Sequence, residues 1–247
     1  MEPLKIFIGW DSREPVAFSV LAHSILTRAT VPVLISPLTL TGLGDTYTRK
    51  RGATESTEFS ISRFMVPYLS GYRGYSVFMD CDMLCRVDIA ELQDIIYAGA
   101  RKPLSAYDAE RYLLDKSVLL CHHKYAPRET TKFLGQKQTA YPRKNWSSFI
   151  VFNNALCRAL TPEYVNTASG LDLHRFNWLS DDRIGELPLE WNYLVGEDNQ
   201  VGPPKFAHWT NGGPYFEQYA NVPYADEWRA EFAAMTAPAT VPSQVLV

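Results

Sequence analysis

Residues 4–38 constrain the fold more than any other stretch of this chain. "LKIFIG" is a continuous apolar run of strand length, suited to a strand buried on both faces of a parallel sheet. After "WDSREP", Phe18, Leu21, Ala22, Ile25 and Leu26 recur at helical spacing. Asp11 or Ser12 is placed to cap that helix, and Pro15 is tolerated in a first turn. "VPVLISPL" reads as a second strand. Strand, helix and strand in such close succession form a βαβ unit, and the expected architecture is α/β: one domain with a mainly parallel sheet flanked by helices.

The remaining elements follow less regularly. "TGLGDTYTRKRGATESTE" reads as a loop, "FSISRFMVPYL" as a helix to about Pro67, and "YSVFMD" as the next strand. A helix is expected from Asp88, with Glu91 completing a capping box and Ile89, Leu92 and Ile96 on its apolar face. "PLSAYD", "SVLLC" and "SFIVFNN" are strand candidates, "TPEYVNTAS" a helix, and "SDDRIGEL" another helix start. The domain is expected to span 1–235, followed by a tail at 236–247.

Composition narrows the class. The 46% hydrophobic and 21% charged content is that of a globular protein, and a net charge of −3 argues against nucleic acid or an anionic membrane as the main partner. The start lacks a signal-peptide pattern, and no apolar run reaches the length of a membrane span, so no transmembrane segment is expected. Four cysteines, Cys81, Cys85, Cys121 and Cys157, are sparse for a disulfide scaffold and point to free thiols in the cytoplasm. A zinc site from Cys81, Cys85, Cys121 and His122 is disfavoured, because the cysteine gap is loose and no second pair exists.

"FMDCDMLC" carries the chemistry. Asp80 and Asp82 follow a buried strand, and ligands of open α/β sheets bind beyond the carboxyl ends of strands. Residues i and i+2 of extended chain point the same way, so both carboxylates can face one point. Like charges that close repel unless a cation lies between them. A hard divalent ion, Mg²⁺ or Mn²⁺, with a diphosphate as its further ligand, fits that need. An acidic turn exposed to water is the alternative reading.

The motif resembles the D-x-D of nucleotide-sugar glycosyltransferases with the GT-A fold, a Rossmann-like sheet, and is most similar to glycogenin-like family eight enzymes and their bacterial and viral relatives. "KIFIGWDSREPVAFSVLAHSIL", "STEFSISRFMVPYL", "NWSSFIVFNN", "LPLEWNYL" and "KFAHWTNGGPYF" resemble that family's segments in the same order. The resemblance implies that Asp80, Asp82 and His208 hold Mn²⁺ or Mg²⁺. It implies donor contacts from Gly9, Trp10 and Asp11 at the end of the first strand, from Arg63, from Ser147 and Ser148, and from Gly212 and Gly213. Asp181 and Asp182 match an Asp-Gln pair beside the anomeric carbon, with Asp replacing Gln, and are the candidate catalytic groups. A lysine expected after the glycines is missing, since "PYFEQY" stands there.

The resemblance thus implies transfer of a sugar from a nucleoside-diphosphate sugar, UDP before GDP, to a hydroxyl acceptor on a glycan, glycolipid or protein, with retention. Two other enzyme classes fit less well. A sugar nucleotidyltransferase wants a glycine-rich basic loop where "GWDSREP" stands, and a haloacid-type phosphatase wants its D-x-D after the first strand. A non-catalytic sugar-nucleotide-binding protein on a degenerate transferase fold is the remaining alternative.

Overall fold

A computed structural model describes residues 2–52, 55–101, 115–124, 127, 131–136, 140–197 and 202–238. The expected strand "PLSAYD" and residues 239–247 of the expected tail lie outside them.

Nine strands form two sheets among the described residues. The larger contains β1 (Leu4–Gly9), β2 (Val33–Leu38), β3 (Tyr75–Met79), β5 (Val118–Cys121), β6 (Phe149–Asn153) and β7 (Ile184–Leu187), in the order β2-β1-β3-β6-β5-β7. The pairs β1–β2, β1–β3 and β5–β7 are parallel, while β6 runs antiparallel to both its neighbours. The α/β architecture is therefore as expected, with β6 as the one inverted strand. The smaller sheet contains β4 (Met83–Cys85), β8 (Tyr193–Leu194) and β9 (Phe206–His208), in the order β4-β9-β8.

The sheet's interior accounts for most of the apolar sequence. Ile6 and Ile8 of β1, Val77, Phe78 and Met79 of β3 and Phe149 to Phe152 of β6 are buried. Each such side chain contributes roughly 1.5–3 kcal/mol relative to exposure. Strand β2 carries Pro37, which has no N–H to donate. It is tolerated because β2 is an edge strand paired only with β1.

Helix α1 (Pro15–Arg28) buries Ala17, Val20, Leu21, Ser24 and Ile25. Leu26, expected on that face, is exposed. The cap also differs from expectation. Glu14 is the N-cap residue and makes no side-chain cap bond, its carboxylate accepting from Tyr215, while Asp11 is engaged by Arg13 and the Ser12 hydroxyl donates to Glu58. Ser24 ties α1 to the small sheet, its hydroxyl accepting from the Cys85 N–H at 3.1 Å.

The shorter helices are α2 (Leu40–Leu43), α3 (Val66–Leu69), α4 (Ala90–Arg101), α5 (Pro162–Thr167), α6 (Gly170–His174) and α7 (Ala225–Thr236). Helix α3 is preceded by a 3-10 turn at Ser62–Met65, so "FSISRFMVPYL" is helical only over its second half. The start of α4 departs from a capping box. Asp88 accepts from the Ala90 N–H at 2.9 Å, but the Glu91 carboxylate turns to Lys205. "SDDRIGEL" is a second departure. Asp181–Arg183 is a single 3-10 turn, and the apolar residues beyond it form β7. The acids signal a turn equally well before a strand, and Ile184 and Leu187 complete a sheet edge against β5.

Candidate functional site

The two carboxylates of the D-x-D lie at the junction of the sheets. Asp80 follows β3, and its N–H donates to the Ser148 carbonyl at 2.9 Å, extending the β3–β6 ladder by one step. Asp82 precedes β4, where Met83 pairs with His208, and its carbonyl accepts from the Trp209 N–H at 3.0 Å. Pairing with β9 thus brings His208 back to the motif. One ligand atom from each of Asp80, Asp82 and His208 lies within 4.8 Å of the others.

The trio is short of positive charge. Asp80 Oδ1, Asp82 Oδ1 and His208 Nε2 are buried with no hydrogen-bond partner among the described residues. Such groups are rarely left unpaired. His208 Nε2 sits 3.3 Å from Asp82 Oδ1, and Asn192 determines what it can offer there. The Asn192 amide NH₂ donates to the Asn145 carbonyl (3.1 Å) and the Ser148 hydroxyl (2.9 Å), so its Oδ1 must face His208 Nδ1 at 2.8 Å. Nδ1 therefore carries a proton, and in the neutral ring Nε2 turns a lone pair toward a carboxylate. A cation between them resolves that clash. An ion with ligand distances near 2.1 Å spans ligand pairs about 3 to 4 Å apart, close to this spacing. The residues present fit a hard divalent cation with one imidazole ligand.

Arg63 supports the acidic side. It is buried, its Nη1 lies 2.8 Å from Asp80 Oδ1, and the same nitrogen donates to the Ser147 carbonyl at 2.7 Å. The Asp80 contact is an ion pair without hydrogen-bond alignment, since Oδ1 keeps no hydrogen bond. The guanidinium also stands over the Phe78 ring at 4.8 Å. Burial raises the Asp80 pKa to about 6, with Asp82 adding to the rise and Arg63 and His208 opposing it.

Several further groups surround the trio without an obvious sequence signal. Glu14 is buried, Tyr215 donates to its Oε2 at 2.7 Å, and its Oε1 has no partner among the described residues. Burial and then the charge of Asp82 push Glu14 to about 8. Asn192 was invisible because its role depends on a contact far away in sequence. A cavity of about 440 Å³ opens from Asp80 and is lined by Arg63, Lys132, Lys144, His174 and Arg175 among others. Lys132 and Lys144 lie in a polar stretch with no motif around them.

The other expected contacts divide. Ser147 and Ser148 line the cavity, but both hydroxyls are engaged, Ser147 with His174 Nδ1 (2.7 Å) and Ser148 with Asn145 and Asn192. Trp10 is half-buried edge-on to Phe18. Asp11 is buried and takes both Nε and Nη2 of Arg13, at 2.8 and 2.5 Å. Burial alone would raise its pKa, yet Arg13 and two backbone N–H groups bring it below the ordinary value. Its oxygens are thus committed within the protein. Gly9 is required by packing, since a Cβ there would lie 2.4 Å from the Phe59 ring. Gly212 adopts φ 145°, and a Cβ on Gly213 would meet the Tyr215 ring at 2.2 Å, so Tyr215 fills the space beside that glycine.

Asp181 and Asp182 are not brought to the trio. They precede β7, which runs parallel to β5, and β5 runs in the same direction as β3. The pair therefore lies in the turn that leads into β7, outside the metal group, and Arg143, which pairs with Asp181, also donates to the Arg175 carbonyl at 2.7 Å on the cavity wall. Both side chains are exposed, Asp181 pairing with Arg143 (2.6 Å) and Asp182 with Arg183 (3.8 Å). The four cysteines are free and buried, and the thiols of Cys81 and Cys121 are raised first by burial. The Asp80–Asp82–His208 group is the one metal-competent cluster among the described residues.

No protein-family model matches the chain. Protein CDI of Arabidopsis thaliana is 43% identical over 240 residues, which cover 93% of this chain and 86% of that protein. This chain belongs to the Protein CDI family. Fold similarity reaches beyond Protein CDI. WbbM, a bifunctional glycosyltransferase, superposes with a TM-score of 0.61 at 17% identity over 94% of this chain, which spans 50% of the WbbM chain. An active-site mutant of LgtC superposes with a TM-score of 0.58 at 12% identity, over 98% of both chains. GlyE of Streptococcus pneumoniae gives 0.55 at 11% identity, covering 95% of this chain and 62% of its own. At these identities the likeness concerns architecture, and this member of the Protein CDI family has the GT-A-type glycosyltransferase fold. No helix among the described residues is long and apolar enough to cross a membrane.

Proposed function

We propose that the protein is a metal-dependent glycosyltransferase that moves a sugar from a nucleoside-diphosphate sugar to a hydroxyl acceptor. The observation that carries this reading is the trio Asp80, Asp82 and His208, each turning a buried atom without a hydrogen-bond partner among the described residues toward one point, at the carboxyl end of β3 in a GT-A-type fold. These three residues would hold Mn²⁺ or Mg²⁺, and the imidazole favours Mn²⁺. When bound, such an ion supplies positive charge against the departing diphosphate. Arg63 holds Asp80 in place, Asn192 fixes the tautomer of His208, and the cavity beside Asp80 receives the sugar. Trp10, at the end of β1, offers a face for a base.

LgtC has been solved with donor and acceptor sugar analogues, which supports a donor and a sugar acceptor here. The likeness of the motif order to glycogenin-like family eight favours UDP over GDP and retention over inversion. The free, buried thiols are in keeping with a cytoplasmic protein acting through one domain, 1–235, on a glycan, glycolipid or protein acceptor.

A second reading draws on Asp181 and Asp182. Both are exposed and paired with Arg143 and Arg183, and acids held in those pairs would suit a protein that binds a sugar nucleotide without turning it over. Thermal shifts with UDP, GDP and their hexose donors, in Mn²⁺ and in EDTA, test the first reading. Metal-dependent stabilisation is expected, and equal stabilisation in EDTA overturns it. Donor hydrolysis by the same samples separates transferase from binder.

A further inference from the structure

The cavity beside Asp80 holds more positive charge than its acids can use. Its carboxylates among the described residues are Asp80 and Glu55. Asp80 is paired with Arg63, and Glu55 lies 3.6 Å from Arg49. Lys132, Lys144 and Arg175 line the same cavity and form no ion pair among the described residues. Lys144 is only 6% exposed, and among the described residues its ammonium meets the Tyr141 ring at 5.1 Å and no carboxylate. Arg175 Nε is buried without a hydrogen-bond partner. A buried cation with no counter-charge is costly to keep. Buried Lys144 and the unsatisfied Nε of Arg175, on the wall of one cavity, indicate a ligand that brings the missing charge.

Resting on the proposed transferase reading, we infer that the cavity receives a carboxylate on the donor's sugar, so that the donor is a nucleoside-diphosphate hexuronate. The diphosphate does not account for the cations. Its two negative charges face the metal trio, where a divalent ion balances them. Burial lowers the pKa of Lys132 while Asp82 and Asp80 oppose that, so Lys132 has acids to answer its charge. Lys144 stands over the Tyr141 ring, Tyr141 meets the His174 ring at 6.2 Å, and the adjacent Arg143 donates to the Arg175 carbonyl at 2.7 Å, so Lys144 and Arg175 share one wall of the cavity. The sugar is the next group along the donor from the β-phosphate, and a cavity of this volume suits a small ligand. A carboxylate meeting Lys144 and Arg175 would form charge-assisted hydrogen bonds, and Arg offers a bidentate fork.

The test uses donors matched but for the carboxylate: UDP-glucose with UDP-glucuronate, and GDP-mannose with GDP-mannuronate. Each is titrated calorimetrically into the full chain with Mn²⁺, alongside UDP and GDP. The expected result is a preference of about ten- to a hundredfold for the uronate of whichever nucleotide binds. Lys144→Met and Arg175→Met should each remove most of that preference while leaving the hexose donor and the free nucleotide unchanged. Lys144→Met should not lower Tm, which separates loss of recognition from loss of fold. Equal affinity for the matched donors overturns the inference, as does an equal loss for nucleotide, hexose and uronate in the variants, which would assign the cations to the diphosphate. Failure of every nucleotide to bind while Mn²⁺ itself binds refutes the transferase reading, and this inference falls with it.

Discussion

His208 presents Nε2 to Asp82 Oδ1 at 3.3 Å, and it does so because Asn192 has already claimed Nδ1. The histidine is thus a poised ligand held by a neutral amide. Asp82→Asn and His208→Ala should each weaken Mn²⁺-dependent nucleotide binding by about two orders of magnitude or more. Asn192→Ala, which removes the partner of His208 Nδ1 and leaves both aspartates in place, should cost about 10- to 100-fold in metal affinity. Calorimetric titration of Mn²⁺ checks all three. An unchanged Mn²⁺ affinity in Asn192→Ala would show that the tautomer is not set by this contact.

The position of Asp181 and Asp182 yields a prediction opposite to the one their spacing suggests. Asp181→Asn and Asp182→Asn should each leave donor turnover within about twofold of the parent, because exposed acids already paired with Arg143 and Arg183 act weakly on the chemistry. Steady-state donor hydrolysis is the measurement. A loss of orders of magnitude in kcat would return them to the catalytic centre.

Lys144 makes stability depend on pH. Burial, and then Lys132, lower its pKa from the ordinary 10.5 to about 7. Between about 7 and 10.5 the unfolded chain therefore holds a proton that the folded chain lacks, so stability rises with pH through that window. Below about 7 the full cost of the buried cation is present. Without ligand, the parent should gain on the order of a few kcal/mol more than Lys144→Met between pH 6.5 and 9.5. Urea unfolding of both at the two pH values measures this, and a parallel response would remove Lys144 as the cause.

Gly9 should prove to be a packing residue. Gly9→Ala puts a methyl 2.4 Å from the Phe59 ring and should destabilise by about 1–3 kcal/mol. Phe59→Leu in the same chain should recover part of the loss. If Gly9→Ala instead keeps its Tm and loses only nucleotide affinity, the glycine belongs to the donor site.

The local signals explain what could be read in advance. The βαβ start, the β3 strand and the β6 strand were legible because burial writes apolar runs directly into sequence. Asp80, Asp82 and His208 were legible through the motif and its resemblance. The turn at Asp181 misled, because acids before an apolar residue signal a helix start and a strand approach alike. Asn192, Glu14 and the Lys144–Arg175 cavity were hidden for another reason. Each draws its meaning from a neighbour supplied by a distant segment, such as Tyr215 for Glu14, and no local pattern records that.

The D-x-D does not sit within one sheet. Asp80 closes the large sheet and Asp82 opens the small one, with fully buried Cys81 as the single residue between them. An ion gripped by both carboxylates and by His208 would therefore rivet the two sheets together. The seam between them would become as stiff as the coordination bonds that cross it, and the protein's mechanical integrity would follow the metal supply of its surroundings.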